Sequence, residues 1–301
     1  NFDWYFFHKV IKYNHFFKHK MQNIYITGTG FWIPEDGLTT NDEVVNSYNT
    51  YVDNYNSENA EAISDGSLEA LAPSSSEFIE KASGIKTRYL YDKHNCLDPN
   101  RMKPKTRPEL PDNTSILAEM GIESAKKAIA NAGITADDVD GIILGTSHSA
   151  RNYPAIAIEI QEALGINGYA YDMLVGCSST TFAISNAYSD IASGLASTIL
   201  VINPELTSPG NDFKIRDSHF IFGDACVATI VQGNLDDPKD VFQIKDRELV
   251  TQFSNNIRSD FSYMNRTDDL NRVDEVMFRQ NGRSVFKDCL LYTSDAADDG
   301  V

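Results

Sequence analysis

Paired cysteines, long apolar runs and an excess of basic charge are what this 301-residue sequence has little of, and each shortage excludes a class of function. Its four cysteines, Cys96, Cys177, Cys226 and Cys289, are widely separated, with no CxxC pair and no recognisable secretory leader. That arrangement points away from a zinc site or a disulfide framework, so no metal is expected and a reducing cytoplasm suits the free thiols. No apolar stretch approaches the ~18 residues of a membrane span, which argues against an integral membrane helix. Basic residues number 26 against 43 acidic, a net charge of −17. A surface this negative repels a phosphate backbone, so nucleic acid is not an expected partner, and none is expected in a membrane.

What is present is globular: 42% apolar and 23% charged residues in a length that suits about two domains of ~150 residues. The ends read differently from the middle. Residues 1–20 hold Lys9, Lys12, Lys18 and Lys20 against Asp3 alone, with three of the histidines and many aromatics. They match neither a signal peptide nor a transit peptide, and Met21 reads as the natural start, with residues 1–20 an extension or translated upstream sequence. At the other end a helical pattern from Arg279 to Lys287 gives way to residues 290–301, which have no periodicity and read as an adapter-derived or acidic tail.

Between these ends the residues alternate strand and helix signals. Ile24–Thr29 reads as a first buried strand. Thr40 with Glu43 forms a capping box for a helix to about Tyr55, and Ser74 with Glu77 repeats the pattern for a helix stopped by Gly84. The stretch from Asp92 to Asp112 contains four prolines and five Lys or Arg, the signature of a long surface loop. Then follow a helix from Ser115 to Asn131, a strand Gly141–Thr146, a helix Pro154–Leu164, a strand Tyr169–Leu174, a helix Ser178–Ser193 and a strand Thr198–Ile202. Near-continuous apolar strands joined through helices predict an α/β unit with parallel strands covered on both faces. A further strand is expected at Val227–Val231, and Val241–Val250 is expected to open a second lobe.

Cys177 stands between the strand Tyr169–Leu174 and the helix from Ser178, preceded by Gly176. Unpaired N–H groups at a helix start stabilise a thiolate, and a glycine permits the tight turn, so this position suits a sulfur nucleophile. The plainer reading is one more buried cysteine, since free Cys is among the most buried residue types. Cys226 lies in an apolar run and reads as core. Cys96 lies in the polar loop with no helix start beside it.

Ile26-Thr27-Gly28-Thr29-Gly30 with Pro34, Ser83-Gly84-Ile85 with Arg88, and Tyr153-Pro154-Ala155 before Leu164-Gly165 occur in that order. They are followed by Tyr171-Asp172 with Gly176-Cys177-Ser178, and by Phe222-Gly223-Asp224-Ala225. On these pieces the stretch Met21–Lys287 resembles the β-ketoacyl-acyl-carrier-protein synthase III family of the thiolase-like superfamily. It is most like the longer members, with extra sequence around Tyr51–Ser75 and Asp92–Pro111.

The resemblance implies a thiolase-like fold whose N-terminal half is complete and whose C-terminal half is incomplete. Residues 21–234 would form the first domain and 235–289 the start of the second. It implies that Cys177 takes an acyl group from a coenzyme A thioester, a substrate and not a resident cofactor, and condenses it with malonyl-acyl-carrier protein in fatty acid synthesis. Arg216 and Phe78 would hold the coenzyme A adenine, although typical members have a Trp at the position of Phe78 and a second Arg at the position of Ala82. Arg216 also reads as an ordinary loop charge. Tyr153 either reaches towards the partner's acyl pocket in a homodimer or is a core aromatic beside a helix. Lys287, after Val285-Phe286, matches a carrier-protein contact. The cations Lys93, Arg101, Lys103, Lys105 and Arg107 are a second candidate patch or simply a solvated surface.

The family's decarboxylating histidine and asparagine are expected beyond Lys287, so the chain as given is expected to be impaired and poorly soluble. His94, His148 and His219 do not occupy the family's histidine motif; His148 follows a strand end, where it either lines a pocket or, the plainer expectation, is a satisfied loop histidine. Two other readings remain open. One is a hydroxymethylglutaryl-CoA synthase-like or polyketide-starter enzyme; the other is a non-catalytic acyl-binding or dimer-partner subunit.

Overall fold

The fold is taken from a computed structural model, which describes residues 23–107, 114–236, 238–259, 278–280 and 284. Ten strands are described: β1 (Ile24–Trp32), β2 (Leu38–Thr40), β3 (Thr87–Tyr89), β4 (Gly141–Thr146), β5 (Tyr169–Leu174), β6 (Thr198–Glu205), β7 (Ala225–Gly233), β8 (Phe242–Gln243), β9 (Ile257–Ser259) and β10 (Phe278–Gln280). The α-helices are α1 (Asn41–Glu58), α2 (Ala60–Ser64), α3 (Ser76–Ser83), α4 (Lys93–Cys96), α5 (Ile116–Ala132), α6 (Ile156–Leu164) and α7 (Ser179–Ser193).

Six strands form one mixed sheet in the order β5-β4-β6-β7-β1-β8. β4 runs parallel to both β5 and β6, as the apolar runs predict, whereas β7 runs antiparallel to β6 and to β1. Burial on both faces produces a continuous apolar run whichever way a strand points, so the run does not encode direction. β5 is an edge strand and only half buried, not the fully buried strand expected. Phe242 and Gln243, expected to belong to the second lobe, pair with β1 as the sheet's other edge.

Alternate residues divide between the faces, as the two-residue period of a strand requires. Ile142, Leu144, Leu200, Ile202, Ala228 and Ile230 meet α5 and α6 on one side. Ile24, Ile143, Ile199, Val201 and Val231 meet Ala183, Ala187 and Ile191 of α7 on the other. Each such Ile or Leu, fully buried, contributes about 1.5–3 kcal/mol. At Gly30, β1 touches α5 directly: a Cβ there would lie 2.2 Å from the Ser124 carbonyl oxygen and 2.5 Å from the Ala128 nitrogen. The Thr-Gly-Thr-Gly run is therefore a packing requirement.

The capping box at Thr40 forms as read, with the Thr40 N–H donating to Glu43 at 2.8 Å and the Glu43 N–H to Thr40 Oγ1 at 3.3 Å. The cap of α3 is Ser75, one residue later than expected; its Oγ accepts the Phe78 N–H at 3.1 Å. Ser74 is buried instead, its backbone bonded in both directions by the Asn49 amide. Asn56 binds Leu71 in the same two-way fashion, so two amides of α1 hold the extra segment against it. The surface loop after Asp92 opens with α4, capped by Asp92, and Cys96 at its end is fully buried. Arg279 and Gln280, read as the start of a helix, belong to β10, which pairs antiparallel with β9; the ladder outweighs a weak local helical pattern. Residues 1–20, 290–301 and Lys287 lie outside the described residues.

Candidate active site

β5 ends at Leu174, and the chain turns through a single 3₁₀ turn, Gly176–Ser178, into α7. Gly176 takes φ +58°, a left-handed conformation that disfavours side chains and permits the tight reversal. Ser179 locks the turn: its Oγ accepts the Val175 N–H at 3.1 Å and donates to the Thr146 carbonyl at the end of β4, also at 3.1 Å. Held this way, Cys177 is exposed at the start of α7. Cys96 and Cys226 are buried, and desolvation pushes both thiols up, Cys226 to about 12. Among the described residues only Cys177 presents its sulfur to solvent. Cys289 is not among them.

Cys177 opens into a cavity of about 550 Å³ whose walls include Ser147, His148, Phe182, Thr207 and Phe222. Two carboxylates brace that wall, Glu205 partly buried and Asp224 fully so. Glu205 accepts the Ser147 N–H at 2.8 Å and its hydroxyl at 3.0 Å, and burial raises its carboxyl above the ordinary range despite both bonds. Asp224, 1% exposed, accepts the N–H groups of Thr207 and Ser208 at 2.8 Å each and of Tyr91 at 2.7 Å; burial raises it too. The Phe-Gly-Asp-Ala run thus has a physical role, as the anchor of the 206–210 loop. Asp172, beside Tyr171, likewise holds the first N–H groups of α6, from Ile156 and Ala157, at 2.7 and 2.8 Å.

Of the two readings of His148, the structure favours the pocket over the satisfied loop residue: it lines the Cys177 cavity, and burial lowers its imidazole below the ordinary value. The signal for that place is its position two residues beyond the end of β4. His219 is core, stacked on Tyr48 with centroids 4.6 Å apart and pushed down to about 4 by burial. His94 is exposed on α4.

Phe78 and Arg216, far apart in sequence, meet: the Arg216 guanidinium lies 4.1 Å from the Phe78 ring centroid. Its Nε donates to the Pro73 carbonyl at 2.8 Å, and Phe220 packs edge-on against Phe78. Arg216 is therefore more than a free loop charge. Tyr153 is 85% exposed, so the core reading of it falls. The basic loop is partly neutralised from within. Lys93 pairs with Glu43 at 2.6 Å and Arg107 with Glu119 at 2.7 Å, while Arg101 donates to the carbonyls of Lys103 and Pro104. No group of three or more His, Cys, Asp or Glu placed to hold a metal occurs among the described residues. No described helix is long and apolar enough to cross a membrane.

A helix-covered mixed sheet that delivers an accessible cysteine at the turn into a helix packed on that sheet defines a thiolase-like protein. The fold agrees with 3-oxoacyl-(acyl carrier protein) synthase III from Pseudomonas aeruginosa PAO1, with a TM-score of 0.65, 18% identity, and coverage of 92% of this chain and 69% of that one. It also agrees with a priming β-ketosynthase of the R1128 polyketide pathway, with a TM-score of 0.63, 22% identity, and coverage of 88% and 65%. The family model for 3-oxoacyl-[acyl-carrier-protein] synthase III matches residues 171–247, a span that includes Cys177 and Arg216. A β-ketodecanoyl-[acyl-carrier-protein] synthase of Pseudomonas aeruginosa is 51% identical over 245 residues, covering 80% of this chain and 70% of the relative. A β-ketoacyl-[acyl-carrier-protein] synthase III of Bartonella tribocorum is 30% identical over 243 residues, covering 79% and 67%. The chain belongs to the β-ketoacyl-acyl-carrier-protein synthase III family.

Proposed function

We infer that Cys177 is the nucleophile of a fatty-acid condensing enzyme. Its sulfur attacks the carbonyl carbon of an acyl-coenzyme A, a new S–C bond forms, the bond to the coenzyme A sulfur breaks, and free coenzyme A leaves with the proton Cys177 gave up. Malonyl-acyl-carrier protein then loses carbon dioxide. Its C2 carbon forms a bond to the acyl carbonyl as the bond to the Cys177 sulfur breaks, giving a 3-oxoacyl chain two carbons longer, and the departing sulfur takes a proton from water to restore the thiol. Splitting the transfer through a covalent thioester replaces one difficult step by two easier ones.

The observation that carries this reading is Cys177 itself, exposed at the start of α7 and opening into a cavity of about 550 Å³ while Cys96 and Cys226 are buried. The stacked Arg216 and Phe78 support a place for the coenzyme A adenine, a flat ring that favours aromatic and guanidinium surfaces. The exposure of Tyr153 is compatible with reaching a second copy in a homodimer. Lys287 is assigned to the acidic carrier protein on its match to the family alone, and the reaction to the cytoplasm. Identity to the β-ketodecanoyl synthase favours a medium-chain donor, since a ten-carbon product needs an eight-carbon acyl group.

Intact-mass spectrometry after incubation with octanoyl-coenzyme A tests the reading. One octanoyl group is expected on the chain and none on Cys177→Ala. Equal labelling of the two proteins, or labelling of neither, overturns it.

A further inference from the structure

The Arg216 and Phe78 pair is open on one side only. The Arg216 side chain is 35% exposed and Phe78 is half-buried. Behind the pair sits His219, buried and outside the cavity beside Cys177, a residue to which the condensation gives no task. Its ring stacks on Tyr48 of α1 and meets Phe220 edge-on with centroids 5.2 Å apart, and Phe220 in turn meets Phe78 edge-on at 6.0 Å. The same histidine closes the turn that carries Arg216. The His219 N–H donates to the Ile215 carbonyl at 2.9 Å, and the ring Nδ1 lies 2.7 Å from the Arg216 carbonyl oxygen.

A carbonyl can only accept, so this contact places the ring proton on Nδ1. Nε2 is buried and has no hydrogen-bond partner among the described residues. Burial and the neighbouring cations Arg88 and Arg216 keep the imidazole neutral, with a single donor to give. That donor goes to the backbone of Arg216, while the Nε bond to Pro73 holds the side chain at its far end.

We propose that His219 is a positioning residue for the coenzyme A adenine: its Nδ1–H fixes the Arg216 backbone so that guanidinium and Phe78 ring stand stacked before the ligand arrives. This rests on Arg216 and Phe78 being the adenine site. The guanidinium reaches the ring only from a fixed backbone, and a turn free to shift would have to be ordered, together with its side chain, on binding. Ordering one long side chain costs about two- to tenfold in affinity, which a turn set in advance avoids.

The test measures the Kd of coenzyme A by isothermal titration calorimetry on the full chain, in the unaltered protein, His219→Phe, Arg216→Ala and the double variant, with circular dichroism to establish that each is folded. His219→Phe keeps a ring against Tyr48 and removes the donor; it is expected to raise Kd about three- to tenfold. In Arg216→Ala, which has no guanidinium to position, adding His219→Phe is expected to change Kd less than twofold. A general loosening of the fold would instead weaken binding by the same factor in both backgrounds, and that result overturns the proposal. A His219→Phe Kd within twofold of the unaltered value, with Arg216→Ala weakened, overturns the role of His219 alone. Binding by Arg216→Ala as tight as by the unaltered chain, or no binding by the unaltered chain, overturns the adenine site and the positioning role with it. Should His219→Phe not fold, nitrogen NMR of the unaltered chain decides: the His219 ring is expected to be protonated on Nδ1 and its signals to shift when coenzyme A is added, and an Nε2-protonated ring or unmoved signals reject the proposal.

Discussion

Replacing Asp224 tests how the cavity wall is built. Its two carboxylate oxygens accept three backbone N–H groups, from Tyr91, Thr207 and Ser208, at 2.7, 2.8 and 2.8 Å, and the side chain is 1% exposed. Asp224→Ala leaves all three donors without an acceptor at a cost of about 1–3 kcal/mol each. The opposing effect is relief of the buried charge, whose desolvation raises this carboxyl. One recovered desolvation does not offset three lost acceptors, so a net loss of about 3 kcal/mol or more is expected. That corresponds to a fall in Tm of about 6–12 °C for a domain of this size. Asp224→Asn is the control: it sheds the charge and keeps one oxygen, which can serve both Thr207 and Ser208, and only the Tyr91 N–H is left facing an amide. Its loss is expected to be no more than about a third of that of Asp224→Ala. Urea unfolding followed by circular dichroism measures both. An Asp224→Ala midpoint equal to that of the unaltered chain, or an Asn variant as unstable as the Ala variant, refutes the reasoning.

Gly30→Ala is expected to cost about 1–3 kcal/mol, because the added Cβ meets helix backbone that cannot rotate away; denaturant midpoints report it, and a neutral result means β1 and α5 can separate freely. A double-mutant cycle on Arg216 and Phe78 is expected to give a coupling of about 0.5–1 kcal/mol in stability, separate from the Arg216 bond to Pro73. If the pair also holds coenzyme A, each single variant raises KM for the thioester more than it lowers kcat. Glu205→Gln keeps an oxygen for both Ser147 donors and removes a partly buried charge. Because the folded carboxyl is raised above its unfolded value, the Glu form is favoured at low pH and loses that advantage as pH rises through the raised value. The Tm of Glu205→Gln relative to the unaltered chain is therefore expected to be higher near neutral pH than near pH ~4, about the ordinary Glu value. A constant difference across that window contradicts the assignment.

Signals that act within a few residues survive translation from sequence into structure. The Thr40–Glu43 box, the left-handed stop at Gly84, the strands Gly141–Thr146 and Tyr169–Leu174 and the glycine before Cys177 are all where the local pattern puts them. Each depends on backbone geometry and short-range hydrogen bonds that neighbouring residues complete by themselves. The one-residue error at Ser75 has the same origin, since adjacent serines compete for one cap and Asn49 of α1 decides between them. The family resemblance assigns Phe78 and Arg216 separately to the coenzyme A adenine; their direct stacking at 4.1 Å is a finding of the fold.

The remaining features are contacts between distant parts of the chain. Asp224 holds a nitrogen 133 residues away, Glu205 holds Ser147 58 residues away, and β8 turns back to β1. No local pattern distinguishes such a buried carboxylate from a solvated one, or a cavity-lining His148 from a loop histidine. Sequence by itself determined the longer helices, five of the ten described strands and the turn that exposes one sulfur, because those rest on neighbouring residues. Only the tertiary structure decided strand direction, the braced wall and the cavity beside Cys177, because each is completed by a partner that chain folding alone brings within reach.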